Sequence, residues 1–332
     1  MKTYIPLLAI PRADLSLRPE LLYLFKQTGI DPSDVCTLDD VFTLDPLHTR
    51  LLLVDHNVPR GTIHQLFQFD SHPDRKQQVE GIIDHHEQEP FYSTDQRSSM
   101  SVHDIQPSGS CCSLVTKHMM QPPGPDLLRS QPEETHGMAV LLLSAILIDT
   151  ANLTSKVHEI DILATKFLSQ FLPELQFGEF YSQMRDVKMS IAGMVLQDIL
   201  RRDYKEYDTR DGKLGMSTVT RTIASLREQF PDFATGYAGF VMERGLAVHI
   251  TMTVDGQGEQ FHRGGMVVAE NAEFVSKFEE RGGLEYGIYG EFVDGLQMEG
   301  GMRWWVYEMK DLSASRKQIA PLAQEIMNTN KS

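Results

Sequence analysis

Val79-Glu80-Gly81-Ile82-Ile83-Asp84-His85-His86 is a short apolar run that stops abruptly at one acid and two imidazoles. Leu51-Leu52-Leu53-Val54 runs into Asp55-His56-Asn57 in the same way. Strands of a parallel sheet are buried on both faces, so they read as near-continuous apolar runs with polar residues at their carboxyl ends. Helical patterns at roughly 18–28, 61–68, 111–120, 134–148 and 157–171 fall between and around these runs. Ser108-Gly109-Ser110, placed before an apolar-periodic stretch, reads as a capped helix start. Alternation of this kind predicts an open α/β sheet with ligands at the carboxyl ends of its strands.

Working outward, the texture changes after a Pro- and Phe-containing stretch at about 172–181. A helix is expected at about 190–207, followed by strand-like runs at 213–219, 236–242, 246–254 and 303–308, several separated by Gly-rich turns such as Asp255-Gly256-Gln257-Gly258 and Glu299-Gly300-Gly301. A chain of 332 residues exceeds the size at which one core usually stops growing. The expected division is an α/β domain over 1–176 and a smaller α+β domain over 177–332. Neither an internal repeat nor a low-complexity segment is evident.

Composition narrows the classes of function. With 41% hydrophobic and 23% charged residues the chain reads as a soluble globular protein. Its longest apolar run, Met138 to Ile148, is too short to span a bilayer and fits a buried helix, so no membrane partner is expected. Three cysteines, two of them adjacent at Cys111 and Cys112, make no disulfide framework. Met1 leads almost directly into the strand-like Tyr4-Ile5-Pro6-Leu7-Leu8-Ala9-Ile10, without a leader, so the cytoplasm is the expected compartment. A net charge of −15 argues against a nucleic-acid binder. The same field repels any polyanion, so a phosphate-bearing substrate would need metal ions and a local basic cluster.

Chemistry concentrates where apolar segments end: Asp55 after the first run, Asp84-His85-His86 after the second, and Asp149 at the close of the helix beginning near Met138. In a parallel sheet the two strand ends share one edge of the molecule. A mixed Asp/His set suits a hard or borderline divalent ion, Mn²⁺ or Mg²⁺ rather than structural zinc, and two such ions can share a carboxylate bridge. Each piece also has a plainer reading: an Asp after a strand commonly forms a turn or caps a helix, and Asp149 before Thr150 can cap the next turn. Spacing leaves both readings open.

These segments resemble known motifs. Asp84-His85-His86, preceded by Val54-Asp55-His56-Asn57 and followed by Gly109-Ser110-Cys111 and the helix ending in Asp149, is similar to three successive motifs of the DHH phosphoesterases. The resemblance covers nearly the whole chain and is strongest to the eukaryotic exopolyphosphatase and prune branch, which shares its architecture with family II inorganic pyrophosphatases. Tyr4-Ile5-Pro6-Leu7 through Ile10-Pro11-Arg12-Ala13-Asp14-Leu15 is similar to the segment after the first helix of fungal-type exopolyphosphatases. The resemblance implies a parallel-sheet DHH domain, a C-terminal substrate-binding domain and an active site in the cleft between them. It implies that Asp55 bridges two metals, His85 binds one, Asp149 binds both, Asp84 supports a ligand and His86 faces the substrate phosphate, so that His86 and Asp84 are the catalytic candidates. In the second domain, Asp203-Tyr204-Lys205-Glu206-Tyr207 resembles the Asp-x-Lys-x-aromatic motif and Ser315-Arg316-Lys317 the Ser-Arg-Lys signature. Lys205, Arg316 and Lys317 would clamp a phosphate chain, Arg in bidentate fashion and Lys as a point charge.

The pattern departs from the family at one place. The first motif, a strand followed by an Asp-x-Asp loop, is missing before Tyr4, and the chain is expected to be N-terminally truncated and poorly active. The expected reaction is release of orthophosphate from the end of polyphosphate. The alternatives are an inorganic pyrophosphatase and a prune-like binding protein that turns nothing over. Arg263-Gly264-Gly265 is not the Gly-Gly-Gly-His signature of the nuclease-type relatives, so that reading drops.

Overall fold

The apolar runs are strands in the computed structural model, which describes residues 4–256, 261–293 and 301–329. The chain divides into two compact units, residues 1–190 and 191–332. The expected boundary at 176/177 falls earlier, ahead of the Phe177–Met189 helix, whose Phe180 and Met184 are buried in a core of the first unit.

In the first unit, β1 (Leu7–Leu8) pairs in parallel with β2 (Cys36–Thr37). A second parallel sheet, three-stranded among the described residues, joins β3 (Leu51–Val54), β4 (Val79–Asp84) and β5 (Val102–Ile105) in that order. β4 is central, which is why its sequence is apolar on both faces. Ile82 packs with Leu53, Ile63, Phe67 and Phe69 on one side. Ile83 packs with Cys111 and Leu114 of the Cys111–Met119 helix on the other. Full burial of such a side chain contributes about 1.5–3 kcal/mol. The run at Met138 lies in the Pro132–Asp149 helix, where Ala139, Leu143, Ile146 and Leu147 meet Ala164 and Leu168 of the Glu159–Ser169 helix. No helix among the described residues is long and apolar enough to cross a membrane.

The second unit is built on a mixed sheet, six-stranded among the described residues, of β6 (Tyr204–Thr209), β7 (Gly212–Val219), β8 (Leu246–Asp255), β9 (His262–Ala269), β10 (Ile288–Phe292) and β11 (Arg303–Met309). Its order is β10-β11-β9-β8-β7-β6, with only β7 and β8 parallel among its pairs. Alternation of period two sends successive side chains to opposite layers. Val248, Ile250 and Met252 of β8 join Trp305 and Tyr307 of β11 against the Ala272–Tyr286 and Arg316–Thr329 helices. Met266, Val268 and Trp304 face the Leu196–Arg202, Ile223–Gln229 and Phe233–Glu243 helices.

Two expectations are corrected here. Residues 236–242, read as a strand, lie in the Phe233–Glu243 helix. The buried Phe233, Tyr237, Phe240 and Val241 recur at helical spacing, which outweighs the strand preference of their side chains. The helix expected over 190–207 is confined to Leu196–Arg202, and Lys205 stands on β6 instead. Tyr204 and Tyr207 suit a strand, and Gly212, at φ 109°, closes the hairpin from β6 to β7.

Candidate metal centre and anion pocket

The parallel register sets Val54 beside Ile83, and the Asp55 N–H extends the ladder by donating to the Ile83 carbonyl at 3.0 Å. Asp55 and Asp84-His85-His86 therefore emerge side by side at the carboxyl ends of adjacent strands. Asp55 adopts φ 68°, a left-handed conformation that costs free energy in any residue with a Cβ and concentrates at functional sites.

Asp84 is fully buried and organises what surrounds it. Its Oδ2 accepts from Asn57 Nδ2 at 2.6 Å, and its Oδ1 accepts from the His85 N–H at 2.8 Å and from His86 Nδ1 at 2.8 Å. Burial alone would raise its pKa, but the hydrogen bonds from His86 and Asn57 outweigh this and hold it below the usual carboxylate range. The bond to Asp84 is also the main cause that raises the pKa of His86.

His85 Nδ1 donates to the Ser108 carbonyl at 2.9 Å. A carbonyl only accepts, so Nδ1 carries a proton and Nε2 is turned toward Asp55, 3.3 Å from its Oδ1. One ligand atom each from Asp55, His85 and His86 lies within 4.8 Å of the others. Burial raises the Asp55 pKa and Asp84 and Asp149 add to this, against the lowering by His85 and His86. A carboxylate and an imidazole with its proton fixed on the far nitrogen are donors a divalent ion would take. Asp149, at the end of its helix, is outside this three-residue cluster; its Oδ2 accepts from Ser110 Oγ at 2.6 Å.

In the second unit, β6, β9 and the start of the Arg316–Thr329 helix enclose a cavity of about 480 Å³ lined by Asp203, Lys205, Arg263, Ser315, Arg316 and Lys317, among others. The three predicted phosphate-binding residues are brought together here. Arg316 donates from Nη1 to the Asp203 carbonyl at 3.0 Å and from Nη2 to the Asp203 carboxylate at 2.7 Å. Arg263, which the sequence offered only as a poor match to the Gly-Gly-Gly-His signature, is a fourth cation of the lining and donates from Nη1 to the Ala314 carbonyl at 2.7 Å.

Residues 182–326 match the DHHA2 domain family. Over 213 residues the chain is 35% identical to a candidate exopolyphosphatase of Schizosaccharomyces pombe, covering 61% of this chain and 51% of that protein. It is 23% identical over 261 residues to the human exopolyphosphatase PRUNE1, covering 76% of this chain and 52% of the relative. The chain is a relative of the exopolyphosphatase and prune branch of the DHH superfamily. It spans about half the length of these curated relatives. A candidate family II inorganic pyrophosphatase of Methanococcus jannaschii shares the fold, with a TM-score of 0.51 and 18% identity over 93% of this chain and 88% of that one.

The cationic cavity thus lies within the matched DHHA2 region, and the Asp84-His85-His86 motif lies in the first unit. Arg263 carried one legible signal, a guanidinium that follows His262 at the start of a strand otherwise of glycine and apolar residues, but spacing did not connect it to residues some fifty positions away. Arg201, near the end of the Leu196–Arg202 helix, pairs with Asp198 at 2.9 Å.

Proposed function

We propose that this chain hydrolyses phosphoanhydride bonds and releases orthophosphate from the end of polyphosphate. The observation that carries this reading is the grouping of Asp55, His85 and His86 at the carboxyl ends of β3 and β4, with the His85 tautomer set by Ser108. Asp55, His85 and Asp149 would hold divalent ions, Mn²⁺ or Mg²⁺. When bound, such ions neutralise developing charge and acidify water. His86, anchored at Nδ1 by Asp84, has Nε2 left to meet a phosphate oxygen. Lys205, Arg263, Arg316 and Lys317 of the DHHA2 domain bind phosphates and offset the overall charge of −15. That charge also argues against nucleic acid as a partner, and three free cysteines favour the cytoplasm.

The test is release of phosphate from long-chain polyphosphate and from pyrophosphate with Mn²⁺ or Mg²⁺, against a chelated control. Faster release from polyphosphate is expected. Faster release from pyrophosphate would make the protein a pyrophosphatase instead. A second reading, binding without turnover, is favoured by one observation: among the described residues the clustered donors number three, a set for one ion, whereas in-line hydrolysis by this chemistry uses two. Polyphosphate binding with no release of phosphate from either substrate would establish it.

A further inference from the structure

Asp161 lies on the Glu159–Ser169 helix and is fully buried, yet it touches none of the proposed ligands. Its carboxylate accepts four hydrogen bonds from three separate places. Oδ2 takes the Gly109 N–H at 2.8 Å and the His158 N–H at 2.7 Å; Oδ1 takes the Ser110 N–H at 3.2 Å and Ser113 Oγ at 2.6 Å. A helix cap alone explains the His158 bond. It does not explain why the other three converge on the segment 109–113.

That segment is the link between two ligands from different elements. The Ser108 carbonyl fixes the tautomer of His85, which follows β4. Ser110 Oγ holds Asp149, at the end of the Pro132–Asp149 helix. The peptide between them is held closely: a Cβ at Gly109 would stand 2.6 Å from the Lys156 carbonyl, 2.6 Å from Thr150 Cγ2 and 2.8 Å from Asp161 Oδ2. The turn after Asp149 is wound left-handed at Ala151, Asn152 and Leu153, with φ of 48°, 57° and 59°. One buried carboxylate therefore clamps the loop that orients both His85 and Asp149.

We infer that Asp161 is a positioning residue of the metal centre, setting the orientation of His85 and Asp149 through the Ser108–Ser110 loop. The inference rests on the reading of those two residues as ligands. Groups that orient ligands in this way typically change metal affinity about 10- to 100-fold when removed.

The experiment titrates Mn²⁺ into the full chain and its Asp161→Asn, Ser110→Ala and double variants, and reads the imidazole ¹⁵N shifts of His85 in the metal-free proteins. Asp161→Asn is expected to weaken Mn²⁺ binding about 10- to 100-fold and to mix the His85 tautomers. The double variant is expected to bind nearly as well as Asp161→Asn alone, because both changes act through one loop. Native Mn²⁺ affinity in folded Asp161→Asn, or effects that simply add, would overturn the inference. If Asp161→Asn does not fold, Ser113→Ala, which removes one of the four bonds, must still weaken Mn²⁺ binding, and native affinity there overturns it as well. A native chain that binds no Mn²⁺ sinks the metal reading. In that case an unmixed His85 tautomer in Asp161→Asn separately sinks the clamp.

Discussion

The carboxylate of Asp203 pairs with the guanidinium of Arg316 at 2.7 Å inside the cavity of the DHHA2 domain. Arg316 therefore reaches its place before any anion arrives, and Asp203 competes with that anion for its charge. Asp203→Asn keeps an amide oxygen to accept from Nη2 and keeps the backbone carbonyl that accepts from Nη1. It removes one negative charge from the lining. Tripolyphosphate should bind the variant about three- to tenfold more tightly at low salt, since a nearby unit charge in such a site is worth on the order of 1 kcal/mol. The gain should shrink as salt rises. Calorimetric titration at two ionic strengths checks both statements.

Arg263 has two tasks that one substitution separates. It supplies a cation to the cavity and holds the Ala314 carbonyl, immediately before Ser315-Arg316-Lys317. Arg263→Met removes both and should weaken tripolyphosphate binding about 10- to 100-fold, the worth of a charge-assisted contact of about 1.5–3 kcal/mol. Arg263→Lys keeps the charge but not the fork, and should recover only part of the loss. Full recovery would mean that the bond to Ala314 contributes nothing to binding.

The two predictions also mark where the sequence stops being legible. β4 could be read because a strand buried on both faces is apolar throughout, and because Asp84, His85 and His86 follow it without a gap. Lys205, Arg316 and Lys317 could be read through their motifs, although Lys205 was expected in a helix and stands on a strand. The Phe233–Glu243 helix misled because Tyr237, Phe240 and Val241 favour strands and Gly236 and Gly239 resemble turns, while the spacing of its buried face is helical. The contacts of Arg263 and Asp161 could not be read from local pattern. Arg263 meets Ala314 only when β9 folds against the start of the last helix, and Asp161 meets residues 109, 110 and 113 only when two helices pack. Tertiary contact, not local pattern, gives such residues their work.

A buried imidazole makes the second unit sensitive to acid. His249 is fully buried among Tyr204, Tyr237 and Phe240, with Nε2 2.9 Å from Ser217 Oγ. Ser217 Oγ donates onward to the Leu200 carbonyl at 2.6 Å, so Nε2–H is the donor to it and the ring is neutral. Burial pushes its pKa down from 6.5 to about 3. Between these values the unfolded chain binds a proton that the folded chain does not, so stability falls as pH drops below about 6.5. The slope approaches about 1.4 kcal/mol per pH unit. Urea midpoints at pH 7, 6 and 5 should fall more steeply for the native chain than for His249→Gln; equal slopes would place the titration elsewhere.

His85 and His86 are adjacent, and both lie in the donor cluster, but their hydrogen bonds assign them different work. His85 is held at Nδ1 by a backbone carbonyl, which leaves Nε2 turned toward Asp55 as the atom a metal ion would take. His86 is held at Nδ1 by the Asp84 carboxylate, a bond that also raises its pKa, and its Nε2 is read as facing the substrate phosphate. His85→Gln should therefore lose Mn²⁺ binding by at least about a hundredfold, because a ligand is removed outright. His86→Gln should keep Mn²⁺ affinity within about tenfold, an effect no larger than that of a neighbouring group, and lose phosphate release instead. Titration of Mn²⁺ followed by a phosphate-release assay on both variants reads the two roles separately. Equal loss of Mn²⁺ by both would make His86 a ligand and return the substrate-facing role to the DHHA2 cations.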